Sequence, residues 1–123
     1  MNYGSGMLSP RINVMEALQM TGYPLTLAEV VSWFRSKQNL LVGSAVSLAG
    51  IRERTDYLPA AAADFDGPGT IGRINGWVSG AFDFEALRVS DGKDIFWRHV
   101  DVSTVDELET AYADFLQILH NPG

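Results

Sequence analysis

The run IGRINGWVSGAFDFEALRV, residues 71 to 89, constrains the fold more than any other stretch of the chain. Alternation puts Gly72, Ile74 and Gly76 on one face and Arg73, Asn75 and Trp77 on the other. After Gly80 the same period resumes, with Phe82, Phe84 and Ala86 set against Asp83 and Glu85. A two-residue loop would bring Asp83 and Glu85 beside Ile74 and mix the faces. A three-residue loop, Val78-Ser79-Gly80 with Gly80 left-handed, keeps them apart. Trp77 then faces Ala81, Asn75 faces Asp83 and Arg73 faces Glu85, while Gly72, Ile74 and Gly76 meet Ala86, Phe84 and Phe82.

A second turn, Ser90-Asp91-Gly92-Lys93, is of the Asp-Gly type. It predicts Ala86 opposite Trp97, Phe84 opposite His99 and Glu85 opposite Arg98. In that register Glu85 lies between two arginines. Phe96 and Arg98 join the polar face, and Trp97 and His99 turn toward the core.

Helices bracket this meander. In LTLAEVVSWFRSK, Leu27, Val30, Val31 and Phe34 fall on one helical stripe, and Thr26 with Glu29 matches a capping box. STVDELETAYADFLQIL opens on a Ser103/Thr104 cap, carries Asp106 and Glu107 in its first turn, and spaces Leu108, Tyr112, Phe115 and Leu119 along one side. Between helix and hairpin, LLVGSAVSLAGI could extend the helix or form a buried strand, and a strand near Val42 to Leu48 is the favoured reading. RERTDYLPAAAADFDGPGT, broken by Pro59 and a Gly-Pro-Gly turn, has room for a short strand around Ala61 to Phe65. Gly72 and Gly76 would let a helix approach, and Phe82, Phe84, Ile95 and Trp97 would supply apolar area. The expected architecture is α+β, an antiparallel meander of three or four strands packed on one face by an N-terminal and a C-terminal helix. Residues 1 to 24, rich in Gly, Ser, Asn and Met and broken by Pro10 and Pro24, read as an arm with one short helix around Val14 to Met20; residues 25 to 120 read as a single domain.

Charge narrows the function. Fifteen acidic against nine basic residues give a net charge of -6, which repels phosphate backbones and favours a basic protein partner over nucleic acid. The lack of cysteine excludes thiol catalysis, thiolate metal sites and disulfides. No apolar run reaches the roughly 18 residues of a membrane span, and the start MNYGSGMLSPRINVM lacks the order of a signal peptide, so a cytoplasmic protein is expected.

Catalytic patterns are weak throughout. His120 stands near the last residue and His99 reads as a satisfied core histidine, with no second ligand spaced for a metal. GPGTIG lacks a P-loop lysine, Asp64 and Asp66 flank a Phe before a turn, and no serine sits in a nucleophile elbow. The expectation is no enzyme, no cofactor and no metal. Trp33 and Trp97 read as packing residues. Trp77 falls with Arg73, Asn75, Asp83, Glu85, Phe96 and Arg98 on the face away from the helices. Such a face is either wet, with cross-strand ion pairs contributing on the order of 0.2–1 kcal/mol each, or an interface, where aromatics and arginines act as anchors.

The series GTIGRINGWVSGAFDFEALRV, a turn, DIFWRHVDV, and a capped acidic helix ending in ETAYADFLQIL resembles bacterial immunity proteins of contact-dependent growth inhibition systems, in the group called TriTu. VVSWF and RTDYLPAAAADFD extend the likeness over about residues 26 to 119, leaving the arm outside it. The resemblance implies a non-catalytic cytoplasmic inhibitor that binds the C-terminal domain of a cognate toxin. That toxin would be a basic, tRNA-cleaving nuclease, with elongation factor Tu involved only through the toxin. The expected partner-binding residues are Asp64, Asp66, Arg73, Asn75, Trp77, Asp83, Glu85, Phe96 and Arg98, with Trp77 or Phe96 at the centre and acids at the rim. Two other readings stand beside this one. One is a secretion-type chaperone, dimeric and gripping an effector segment. The other is a small-molecule-binding module with its ligand between helix and sheet, in the space left by Gly72 and Gly76.

Overall fold

The computed structural model describes residues 22–55 and 57–122; the short helix expected around Val14 to Met20 lies outside them. In chain order come α1 (Leu27–Leu40), β1 (Ser47–Arg54), β2 (Ala60–Gly67), β3 (Thr70–Trp77), β4 (Ala81–Arg88), β5 (Lys93–Asp101), a 3-10 turn (Val105–Leu108) and α2 (Glu109–His120). The strands form one antiparallel sheet in sequence order, and both helices pack against the same face of it. The fold is α+β as expected, with five strands in place of three or four.

The fifth strand comes from the charged segment. Residues 41–46 turn rather than pair, because α1 ends at Leu41 and Gly43 takes a left-handed φ of 82°. Pairing starts at Ser47 and runs to Arg54, so the strand expected near Val42 to Leu48 lies several residues further on. Arg52 and Arg54 pair with Ala62 and Ala60, whose small side chains leave the long arginines room beside them on one face. Ile51 and Leu48 turn to the other.

The central hairpin has the expected register throughout, from Gly72 opposite Ala86 to Gly76 opposite Phe82, with Gly80 at φ 93° in the loop. The Thr26–Glu29 capping box is also present. A second box, Thr104 with Glu107, opens a 3-10 turn that leads into α2.

Both helices bury their stripes against the sheet. Val30, Trp33 and Phe34 of α1 and Ala111, Tyr112, Phe115 and Leu119 of α2 meet Ala63, Phe65, Ile74, Phe82 and Phe84. Fully burying a large apolar side chain is worth about 1.5–3 kcal/mol, so this layer carries most of the stability. Phe115 is its hub, with ring centroids 5.1 Å from Phe65, 5.7 Å from Phe84 and 6.1 Å from Phe96. Gly72 admits that hub, since a Cβ there would stand 2.7 Å from Phe115 Cζ. Gly76 serves a different purpose, because its space is filled by the ring of Phe82 and not by a helix. With Phe115, Leu119 and Phe82 in these positions, the gap suggested for a small ligand between helix and sheet is occupied by the protein itself.

Polar links also fasten the helices. Lys37 of α1 lies 2.6 Å from Glu109 of α2, and Trp33 Nε1 donates to the same carboxylate at 2.9 Å. At the other end of α2, the buried Thr70 hydroxyl donates to the Leu119 carbonyl at 2.9 Å.

Candidate functional site

With both helices on one side, no element among the described residues covers the other face of the sheet. Alternation along five strands arranges its side chains in rows across the strands. One row reads Arg54, Ala60, Trp77, Ala81, Asp101; the next Arg52, Ala62, Asn75, Asp83, His99; the third Gly50, Asp64, Arg73, Glu85, Trp97. A fourth row brings Ser47, Asp66, Ile71, Leu87 and Asp94 together.

Seven of the nine expected residues, Asp64, Asp66, Arg73, Asn75, Trp77, Asp83 and Glu85, fall on this outer face. Phe96 and Arg98 do not. Phe96 packs against Phe115 on the helix side, and Arg98 pairs with Asp114 of α2 at 2.7 Å. The cause is one residue. The loop after β4 runs from Val89 to Gly92, with Arg88 paired to Lys93, and a bulge at Ile95 then moves Phe96 opposite Ala86. A one-residue slip exchanges the faces of a strand. Trp97 and His99, expected in the core, accordingly stand on the outer face. Trp97 is 67% exposed. Glu85 has Arg73 and Trp97 as its neighbours across the strands, not two arginines.

Charge is distributed unevenly over the face. Arg52 and Arg54 occupy the β1 side, and Asp83, Glu85, Asp94 and Asp101 the side of β4 and β5. Asp64 sits where they meet. It accepts from Arg73 Nε at 2.7 Å and from Arg52 Nε at 3.1 Å. Partial burial works against its charge, but the two guanidiniums, Arg73 foremost, more than offset this and hold the carboxyl below its ordinary value. The Arg52–Asp64–Arg73 chain forms a ridge between two depressions. One, of about 280 Å³, is lined by Arg52, Arg54, Ala60, Ala62, Asn75 and Trp77 among others. The other, of about 400 Å³, has Asp66, Ile71, Glu85, Leu87 and Asp94 around it.

His99 makes the most polar arrangement on the face. Its Nδ1 lies 2.6 Å from Asp83 Oδ1 and its Nε2 3.1 Å from Asp101 Oδ1. A carboxylate at each ring nitrogen favours a donor at both, which is the imidazolium. Asp83 first, then Asp101, raises the His99 pKa above its ordinary value. A ring donating from both nitrogens has no lone pair for a metal or for a substrate proton. Among the described residues no group of three or more His, Asp or Glu is placed to hold a metal ion.

The residues that sequence reasoning missed on this face are Arg52, Arg54, Ile71, Leu87, Asp94, Trp97, His99 and Asp101. Ile71 and Leu87 were legible, since the hairpin register places them with Arg73 and Glu85. The arginines needed β1 to be recognised, and the last three needed the bulge. No helix of the described residues is long and apolar enough to cross a membrane.

Comparison with curated proteins finds no match. The family model described as "Immunity protein TriTu" matches residues 28–118, which takes in nearly all of α1, the whole sheet and most of α2. A match over that much of the fold assigns the chain: it belongs to the TriTu family of immunity proteins.

Proposed function

We propose that this protein is a non-catalytic inhibitor that neutralises a basic, tRNA-cleaving toxin domain of a contact-dependent growth inhibition system, in the cytoplasm of the cell that makes both. Family membership over residues 28–118 carries this reading. The partner is the C-terminal domain of the cognate toxin, and elongation factor Tu is involved only through that toxin. Inhibition works by laying the outer sheet face over the toxin's active or substrate-binding surface. Two features support the choice of face: it is open among the described residues, and it carries an acidic half that complements a phosphate-binding site.

Co-expression with the toxin domain encoded beside this gene tests the function. Survival, with a one-to-one complex that co-purifies at moderate salt, is the expected result. Cell death despite soluble protein overturns it. Alanine at Trp77, Asp83 and Glu85 together tests the face and should weaken binding at least tenfold, a change of about 1.4 kcal/mol. Unchanged affinity would move the interface to the helices or to residues 1 to 24.

A further inference from the structure

Resting on the immunity reading, we propose that the 400 Å³ depression of the outer face is a socket for one arginine side chain of the toxin domain, with Trp97 next to it across from Glu85. The occupant follows from three features. Ile71 and Leu87 are partners on adjacent strands and line the depression, and Ile71 is 44% exposed, an apolar bed for an aliphatic stem. Asp66, Glu85 and Asp94 also line it, and none of these carboxylates bonds to another side chain among the described residues. The fourth acid, Asp64, is matched by Arg52 and by Arg73, which also lines the socket, so four acids and one arginine leave it a net of three negative charges.

Trp97 stands directly across from Glu85 on the same face and is the large aromatic side chain most exposed there. A guanidinium suits this set better than an ammonium. Its flat fork can engage two carboxylates at once, it is less strongly hydrated, and it stacks on an indole face. An apolar bed, an acidic rim and an exposed aromatic neighbour together are the surroundings of an interface anchor.

Two arms test the socket. In the first, affinity for the toxin domain is measured for the whole chain and for the triple variant Asp66→Asn, Glu85→Gln, Asp94→Asn, with Glu29→Gln, Glu53→Gln, Asp106→Asn as a control that loses the same charge elsewhere. The triple variant should bind about 100-fold more weakly and the control within about threefold. Trp97→Ala should weaken binding at least tenfold. In the second arm, isotope-labelled protein is titrated with N-acetyl-arginine amide, and with N-acetyl-citrulline amide, its uncharged isostere. Arginine should shift the amide signals of Ile71, Glu85 and Leu87 and the indole signal of Trp97, and citrulline should not.

If the toxin binds the wild-type chain, equal affinity of triple variant and control overturns the socket while the immunity reading stands. If the toxin fails to bind at all, the immunity reading falls and the titration alone decides the socket. Equal shifts with the two amides, or shifts elsewhere, overturn it.

Discussion

His99 shows how much one side chain depends on its neighbours. Its raised pKa means that the folded state binds the proton more tightly than the unfolded chain does, so the stabilisation is fully present below about 6.5, the ordinary value, and is lost as pH rises through the raised one. The stability gap between wild type and His99→Gln, followed by urea unfolding, should be largest near pH 6 and shrink toward pH 9. A gap independent of pH would mean that folding leaves the proton affinity of the ring unchanged. Glu109 behaves oppositely. Partial burial opposes its charge, but Lys37 and Trp33 more than offset this and lower the pKa, so its contribution is present above the ordinary 4.5 and is lost as pH falls through the lowered value. Tyr112 beside it is pushed well up, by burial first and then by the Glu109 charge. Glu109→Ala leaves the Trp33 indole N–H and the mostly buried Lys37 ammonium without their acceptor. The expected loss near pH 7 is about 1–2 kcal/mol, measured by the same unfolding.

At the level of elements, the hairpin was legible because two independent signals agreed. The alternation of Arg73, Asn75 and Trp77 against Asp83 and Glu85, and a glycine at the loop position that needs a positive φ, both pointed to one register. The β4–β5 pair had no such redundancy. Asp91-Gly92 suggested a tight turn, but Gly92 closes a longer loop, and Ile95 is an ordinary strand residue that nothing in the sequence marks as unpaired. The part of the candidate face that β5 contributes was therefore assigned to the wrong side of its strand. β1 was placed too early for another reason, since the apolar run Val42 to Leu48 marks only its start, and the charged Arg52, Glu53 and Arg54 that complete it show no apolar alternation. Two glycines give a graded test of the turns. A Cβ at Gly80 would run into the Val102 carbonyl oxygen and take φ 93°, whereas at Gly92 it meets open space at φ 67°. Gly92→Ala should cost about 1 kcal/mol and Gly80→Ala at least about 2 kcal/mol more. Equal losses in thermal unfolding would contradict the packing described for the β3–β4 loop.

For the molecule as a whole, the two faces of the sheet divide the labour. One holds the fold together through a continuous aromatic layer, and the other is free to vary without disturbing it. A net charge of -6 should hasten encounter with a basic partner. Raising salt from about 50 to 500 mM, which shortens the screening length severalfold, should lower the association rate with the toxin domain at least tenfold while the dissociation rate stays within a fewfold. A salt-independent association rate would remove electrostatic steering from the account. The same division explains what sequence could convey, since a core obeys periodicity and a face open to solvent is bound by no such rule.

Both irregularities in the sheet sit on its outermost strands, at Ala49 in β1 and at Ile95 in β5. Flat, regular borders invite other chains to add strands, and a bulge twists a border out of the line such growth requires. Charged side chains along both borders, Arg52, Glu53 and Arg54 on one and Lys93 and Asp94 on the other, add the cost of desolvating them to any such growth. An antidote is kept in store ahead of the poison, and these two displaced residues set both borders of the sheet against growth by further copies.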